Sequence, residues 1–240
     1  MTGIRSATKR YVGVAIFALV CAIQATSAAP AETAAPTSAA PTSGTGAASI
    51  GAPPVAANAE VVGFRSAHFG MSEADVRAAI AKDFGISGDS VKSAQNGVEH
   101  TQILSVKAPD VLQDGGSAEV AYVLGYKSKK LIEVSVSWSK ATDDKVTAER
   151  LLSNGETLRA YFLSAGYKPD SIVNGAAVAN GLLMFRGSDA DGHTTILLLR
   201  GVQGSDKEKS QHTFSPTGLT LFYLADVKNP DVYRVAPGKF

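Results

Sequence analysis

The 240-residue chain contains one cysteine, Cys21. That excludes a disulfide scaffold and a thiolate-held zinc site. It has almost no surplus of charge, with 23 Lys+Arg against 22 Asp+Glu, so nothing in its electrostatics draws it to nucleic acid. Its histidines, His68, His100, His193 and His212, never fall at HxH, HxxH or HExxH spacing, so no metal site is expected. A Gly-x-Gly-x-x-Gly phrase and a P-loop are both missing, and no cofactor is expected.

No apolar run is long enough to cross a bilayer. The uncharged, largely apolar run Tyr11 to Ile23 spans only about 20 Å as a helix against a hydrocarbon core of about 30 Å. It lies between Arg5, Lys9 and Arg10 and the small residues Ala25 to Ala28. Those are the three zones of a secretory signal, so residues 1–28 are expected to be a signal peptide and the mature protein periplasmic. Bulky Val20 precedes Cys21 and Ala22 and Ile23 follow it, which reads as apolar filler inside the leader rather than a lipid acceptor. A membrane association would therefore need the N-terminal segment to persist as an anchor. Without the leader's three cations the chain turns slightly acidic.

Residues 29–59 are rich in Ala, Pro, Ser and Thr, with Glu32 as their one charge and no aromatic residue. Such a composition cannot bury enough apolar surface to offset its ordering entropy, so a disordered linker is expected. From Glu60 to Phe240 charged and aromatic side chains return, and the segment is long enough for a sizeable core.

Two rounds of one pattern follow. In the first, Ser72 is a helix cap answered by Asp75, with Val76, Ala79, Ile80 and Phe84 on one stripe and Gly85 at the end. Strands are expected at 101–107, 118–126 and 131–139. In the last, Ile132, Val134, Val136 and Trp138 alternate with Glu133, Ser135, Ser137 and Ser139, a sheet with one wet or partner-facing side. In the second round a helix over 147–165 carries Leu151, Leu152, Leu158 and Phe162, with Gly155 inside it at a cost of about 1 kcal/mol against alanine. Strands at 181–187, 193–202 and 218–225 follow. Asp189-Ala190-Asp191-Gly192 forms the hairpin turn between the first two, and 203–216 is a polar loop. The fold class is α+β: two α-β-β-β units (pseudo-repeats 60–140 and 141–240), antiparallel meanders with helices packed on one face.

Gly70-Met71-Ser72-Glu73-Ala74-Asp75-Val76 resembles the Gly-Met-[Ser/Thr]-x-x-x-Val helix opening of the SmpA/OmlA (BamE-type) outer-membrane assembly lipoproteins. The tandem plan resembles the β-lactamase-inhibitor proteins. Both resemblances imply an exported binding module.

Catalytic phrases are present only in fragments. Gly88-Asp89-Ser90 looks like a hydrolase nucleophile block, but no histidine has an aspartate three positions before it, and a polar turn explains it. Ser137-Trp138-Ser139-Lys140 fits Ser-x-x-Lys inside a regular strand. Asp189 and Asp191 lack the third acid and distal Glu of a calcium loop. The candidate partner-binding residues are the basic turn Lys127, Lys129 and Lys130 and the aromatics Tyr122, Tyr126 and Trp138, from a wider set with Phe222 and Tyr223. The function expected is a non-enzymatic, exported protein-protein interaction module whose partner is an envelope protein. A periplasmic small-ligand or lipid carrier is the alternative, and a hydrolase follows behind it.

Overall fold

The computed structural model describes residues 58–206, 211–235 and 238. The expected signal peptide, and the expected linker up to residue 57, lie outside the described residues. Ala59, placed at the end of that linker by its composition, donates to the Gly166 carbonyl at 3.0 Å and belongs to the folded part.

A small hairpin comes first, β1 (Gly63–Phe64) with β2 (Ala67–His68). Helix α1 (Glu73–Phe84) starts where local chemistry demands: the Ser72 hydroxyl accepts the Asp75 amide, and the Asp75 carboxylate accepts the Ser72 amide. It stops at Gly85, whose φ of 68° is left-handed. After a 3₁₀ turn (Gly88–Ser90) come β3 (Lys92–Gln95), β4 (Gln102–Ala108), β5 (Ala118–Leu124) and β6 (Leu131–Ser139). Helix α2 (Ala148–Ser164) is capped by the Thr147 hydroxyl. Then follow β7 (Ala176–Val178), β8 (Gly181–Ser188), β9 (Thr194–Asp206) and β10 (Gln211–Leu224).

All of β3 to β10 form one antiparallel sheet, ordered β3-β4-β5-β6-β10-β9-β8-β7. The α+β class stands, but the expected three-strand meanders do not describe it. Each helix is followed by four strands, and both sets share one sheet. The additional strands are the short edges β3 and β7. The segment read as a polar loop, 203–216, is largely ladder: Gln203 pairs with Phe214 and Asp206 with Gln211.

Register assigns the two faces. Leu104, Tyr122, Val134 and Tyr223 form one row, and Val106, Val120, Val136, Leu221 and Leu197 the next. These rows face the helices and join one core with Val76 and Ile80 of α1 and Leu151 and Phe162 of α2. Phe162 stacks on Phe185 with ring centroids 5.4 Å apart. The Tyr167 hydroxyl donates to Thr195 at 2.7 Å. Leu152, expected on the core stripe of α2, is exposed. Gly155 is buried, and a methyl there would come within 2.6 Å of the Met184 sulfur. Close seating of α2 on the sheet leaves a side chain here room only if the end of Met184 moves aside, which sets a packing gain against the helix-propensity cost of glycine.

The opposite face has its own small buried set, Val123, Leu183, Ile196, Phe222 and Leu224. They are outside the main core cluster, because the sheet backbone separates them from it. Glu133 sits on this face, opposite Val123 and Leu224.

Candidate binding site at the basic hairpin tip

The β5–β6 connection carries Lys127, Lys129 and Lys130, all exposed. The Gly125 amide donates to the Lys130 carbonyl at 2.8 Å, and the Lys129 amide donates to the Gly125 carbonyl at 3.2 Å. Lys129 itself takes a φ of 54°.

The turn is stiffened from the far end of the chain. The Asp231 carboxylate accepts the Lys127 amide at 3.0 Å and the Ser128 amide at 2.8 Å, and the Asp231 carbonyl accepts the Tyr126 amide at 2.8 Å. A side chain on Gly125 would strike that carboxylate. Burial pushes the Asp231 carboxyl up, but hydrogen bonds from the Ser128 hydroxyl and the two amides outweigh it and hold it below its ordinary value. Asp231→Ala is expected to cost about 1 kcal/mol, since the carboxylate that accepts two backbone amides in an exposed turn is lost. The same variant should accelerate hydrogen exchange at Lys127 and Ser128. Unchanged exchange there would show that the tip holds itself without the tail.

Aromatic rings pack beneath the lysines. His100 stacks on Tyr233 at 4.3 Å with planes 6° apart, and Tyr126 meets both edge-on at 5.7 and 5.5 Å. The Lys129 ammonium lies 5.6 Å from the Tyr126 ring centre. The Asn96 side chain shapes the 96–101 turn by accepting the Val98 and Glu99 amides and donating to the Glu99 carboxylate. The Tyr233 amide then donates to the Glu99 carbonyl at 2.8 Å.

Below this cluster is a residue that sequence reasoning missed. Glu133 is only 4% exposed. Burial, reinforced by the Glu99 charge, pushes its carboxyl up to about 8, and burial raises Glu99 as well. Glu133 thus keeps its proton at neutral pH. Strand alternation placed it correctly opposite Val134, on the polar-reading side. Its burial could not be read locally, because Leu224 beside it comes from the last strand.

The other candidate residues are elsewhere. Tyr122 is 0% exposed and Trp138 1%, both on the helix-covered face, so neither is available to a partner. This corrects the expectation that they are anchors: the period-two pattern marks a face without saying which face the helices take. Phe222 is buried on the other face, and Tyr223 stacks on Phe64 at 5.8 Å. Of the six candidates, Lys127, Lys129, Lys130 and Tyr126 come together.

The catalytic fragments resolve into local structure. Gly88-Asp89-Ser90 is the 3₁₀ turn, beside a hollow of about 650 Å³ whose lining includes no histidine. Asp189 is buried and brackets its turn, accepting the Asp191 and His193 amides at 3.0 and 2.9 Å, and also the Val61 amide at 2.8 Å. Its carboxylate lies 3.5 Å from His193 Nδ1, with three backbone amides already on it. Among the described residues no three His, Cys, Asp or Glu side chains are grouped to hold a metal. No described helix is long and apolar enough to cross a membrane. No family model, no curated protein and no solved structure matches this chain.

Proposed function

We propose that this chain is an exported, periplasmic, non-enzymatic protein-interaction module that meets an envelope protein through the Lys127–Lys130 tip. The observation that carries this reading is the stiffening of that tip. Three exposed lysines sit on a turn fixed by Asp231 and floored by Tyr126, His100 and Tyr233. Loose surface lysines gain little on binding, because their ordering cost offsets their charge. A turn whose backbone is already fixed avoids part of that cost, and aromatic rings beside it supply contact area. The carrier alternative has less support, because α2 rests so closely on the sheet at Gly155.

A photo-crosslinking side chain placed at Lys129 of the full chain, in intact cells, is expected to capture an envelope protein. Capture should disappear in the Lys127→Glu/Lys130→Glu variant and should not occur from the exposed Leu152 of α2. Equal capture from both positions, or none from the tip, overturns the reading.

A further inference from the structure

Strand β3 pairs with β4 alone, and all four of its side chains are exposed. Its ladder parity follows from one bond at its end. The Asn96 amide donates to the Thr101 carbonyl at 2.9 Å, in register with the Lys92–Ser105 and Ala94–Ile103 pairs. Alternate residues of an antiparallel strand turn their peptide groups to opposite sides. Lys92, Ala94 and Asn96 therefore point theirs at β4, and Ser93 and Gln95 point their N–H and C=O groups outward, where no described residue meets them.

Hollows flank this edge at both ends. One, of about 650 Å³, is lined by Ser87, Ser90, Lys92 and Lys107, with Glu119 on its wall. The other, of about 350 Å³, is lined by Ser93, Ala94, Gln95, His100 and Lys129. Lys92 and Lys129 make no ion pair with any described residue. A bare strand edge with an unpaired cation at each end has the complement of an extended acidic segment.

We propose that β3 is an edge onto which an extended, acidic segment of the partner protein adds as a ninth strand, with carboxylates reaching Lys92 at one end and Lys129 at the other. This rests on the protein-binding reading and names the partner's chemistry. The outward groups of Ser93 and Gln95 supply the register. A second copy of the chain is a poor occupant, because antiparallel pairing about this edge brings Lys92 of one copy toward Lys129 of the other. The opposite edge, β7, has the sequence Ala-Ala-Val and offers no cation.

The probe is acetyl-(Glu-Val)₄-amide, titrated into the full chain by calorimetry and followed by amide hydrogen exchange. It is expected to bind and to slow exchange at Ser93 and Gln95 by about tenfold, leaving Lys92 and Ala94 unaltered. The (Lys-Val)₄ peptide should not bind. Ser93→Pro removes one outward donor on an edge where proline is tolerated, and should weaken binding by about tenfold with unchanged circular dichroism. Lys92→Glu/Lys129→Glu should weaken it as much without touching the backbone. The proposal is overturned if the acidic peptide fails to bind, if both variants bind it normally, if the basic peptide binds equally, or if sedimentation shows a dimer that Ser93→Pro dissolves. Crosslinking from position 129 that survives Ser93→Pro would sink the edge while leaving the binding module standing. Absence of any crosslink from the tip would sink the module itself.

Discussion

Trp138→Ala is expected to lower stability by about 3–5 kcal/mol, the range for deleting a buried large aromatic. Trp138 heads the fully buried side chains by volume. It lies on β6 opposite Leu219 of β10, at the line where the two four-stranded halves meet, so the void would open in the middle of the sheet. The indole carries a liability of its own: its Nε1 is buried and has no hydrogen-bond partner among the described residues. An orphaned buried donor costs about 1–3 kcal/mol. Trp138→Phe removes that donor and leaves a smaller void, so the two effects oppose each other and the net change should stay within about 1.5 kcal/mol. Urea unfolding of the three chains checks both numbers. A loss below about 1 kcal/mol for alanine would mean that the site collapses around the gap, contrary to the close packing that the structure shows.

Between pH 5 and 9 the stability of the chain should fall as pH rises, and Glu133→Gln should remove most of that fall. The Glu133 carboxyl lies near 8 in the folded chain against an ordinary value of 4.5. Between those values the folded state holds a proton that the unfolded state has released. Raising pH across the window therefore favours unfolding, and the loss levels off above about 8. The full effect is on the order of 3–5 kcal/mol. Glutamine stays neutral throughout, so the variant should match the parent near pH 5 and exceed it by about 3 kcal/mol at pH 8.5. Glu99→Gln removes the second contributor, the neighbouring charge, and should flatten the curve only in part. Denaturant titrations at successive pH values give the slopes. Parallel curves for parent and Glu133→Gln would show that water reaches this carboxyl. The carboxyls held low by hydrogen bonds, Asp75, Asp143 and Asp231, contribute in the opposite sense and only at the acid end.

Elements with a face to bury were legible in the sequence. Val134, Val136 and Trp138 against Ser135, Ser137 and Ser139 mark β6 over its observed length, and Ser72, Asp75 and Gly85 mark both ends of α1. Strand β3 gives no such signal: Lys-Ser-Ala-Gln buries nothing, and it is held by its ladder with β4 and a hydrogen bond from the Gln102 side chain to the Ser93 hydroxyl. The extension of β9 beyond residue 202 and the first part of β10 escaped because a polar stretch reads as loop even where its backbone pairs. The lysines of the tip were visible, but their fixing by Asp231 was not, since the two lie about a hundred positions apart. The same distance hid Glu133. Its side of the strand was evident, and what covers that side belongs to the chain's end.

The partnership of β6 with β10 has a consequence for how the molecule comes into being. A chain emerging from its N-terminus completes the first meander early, yet β6 has only β5 beside it until residues 211–224 arrive. The first half is thus not a self-sufficient piece, and the final strand acts as a keystone. Every nascent or truncated form that stops short of it leaves the strand bearing Trp138 with a bare flank. Arrival of β10, rather than synthesis of the first half, is the moment at which this sheet closes.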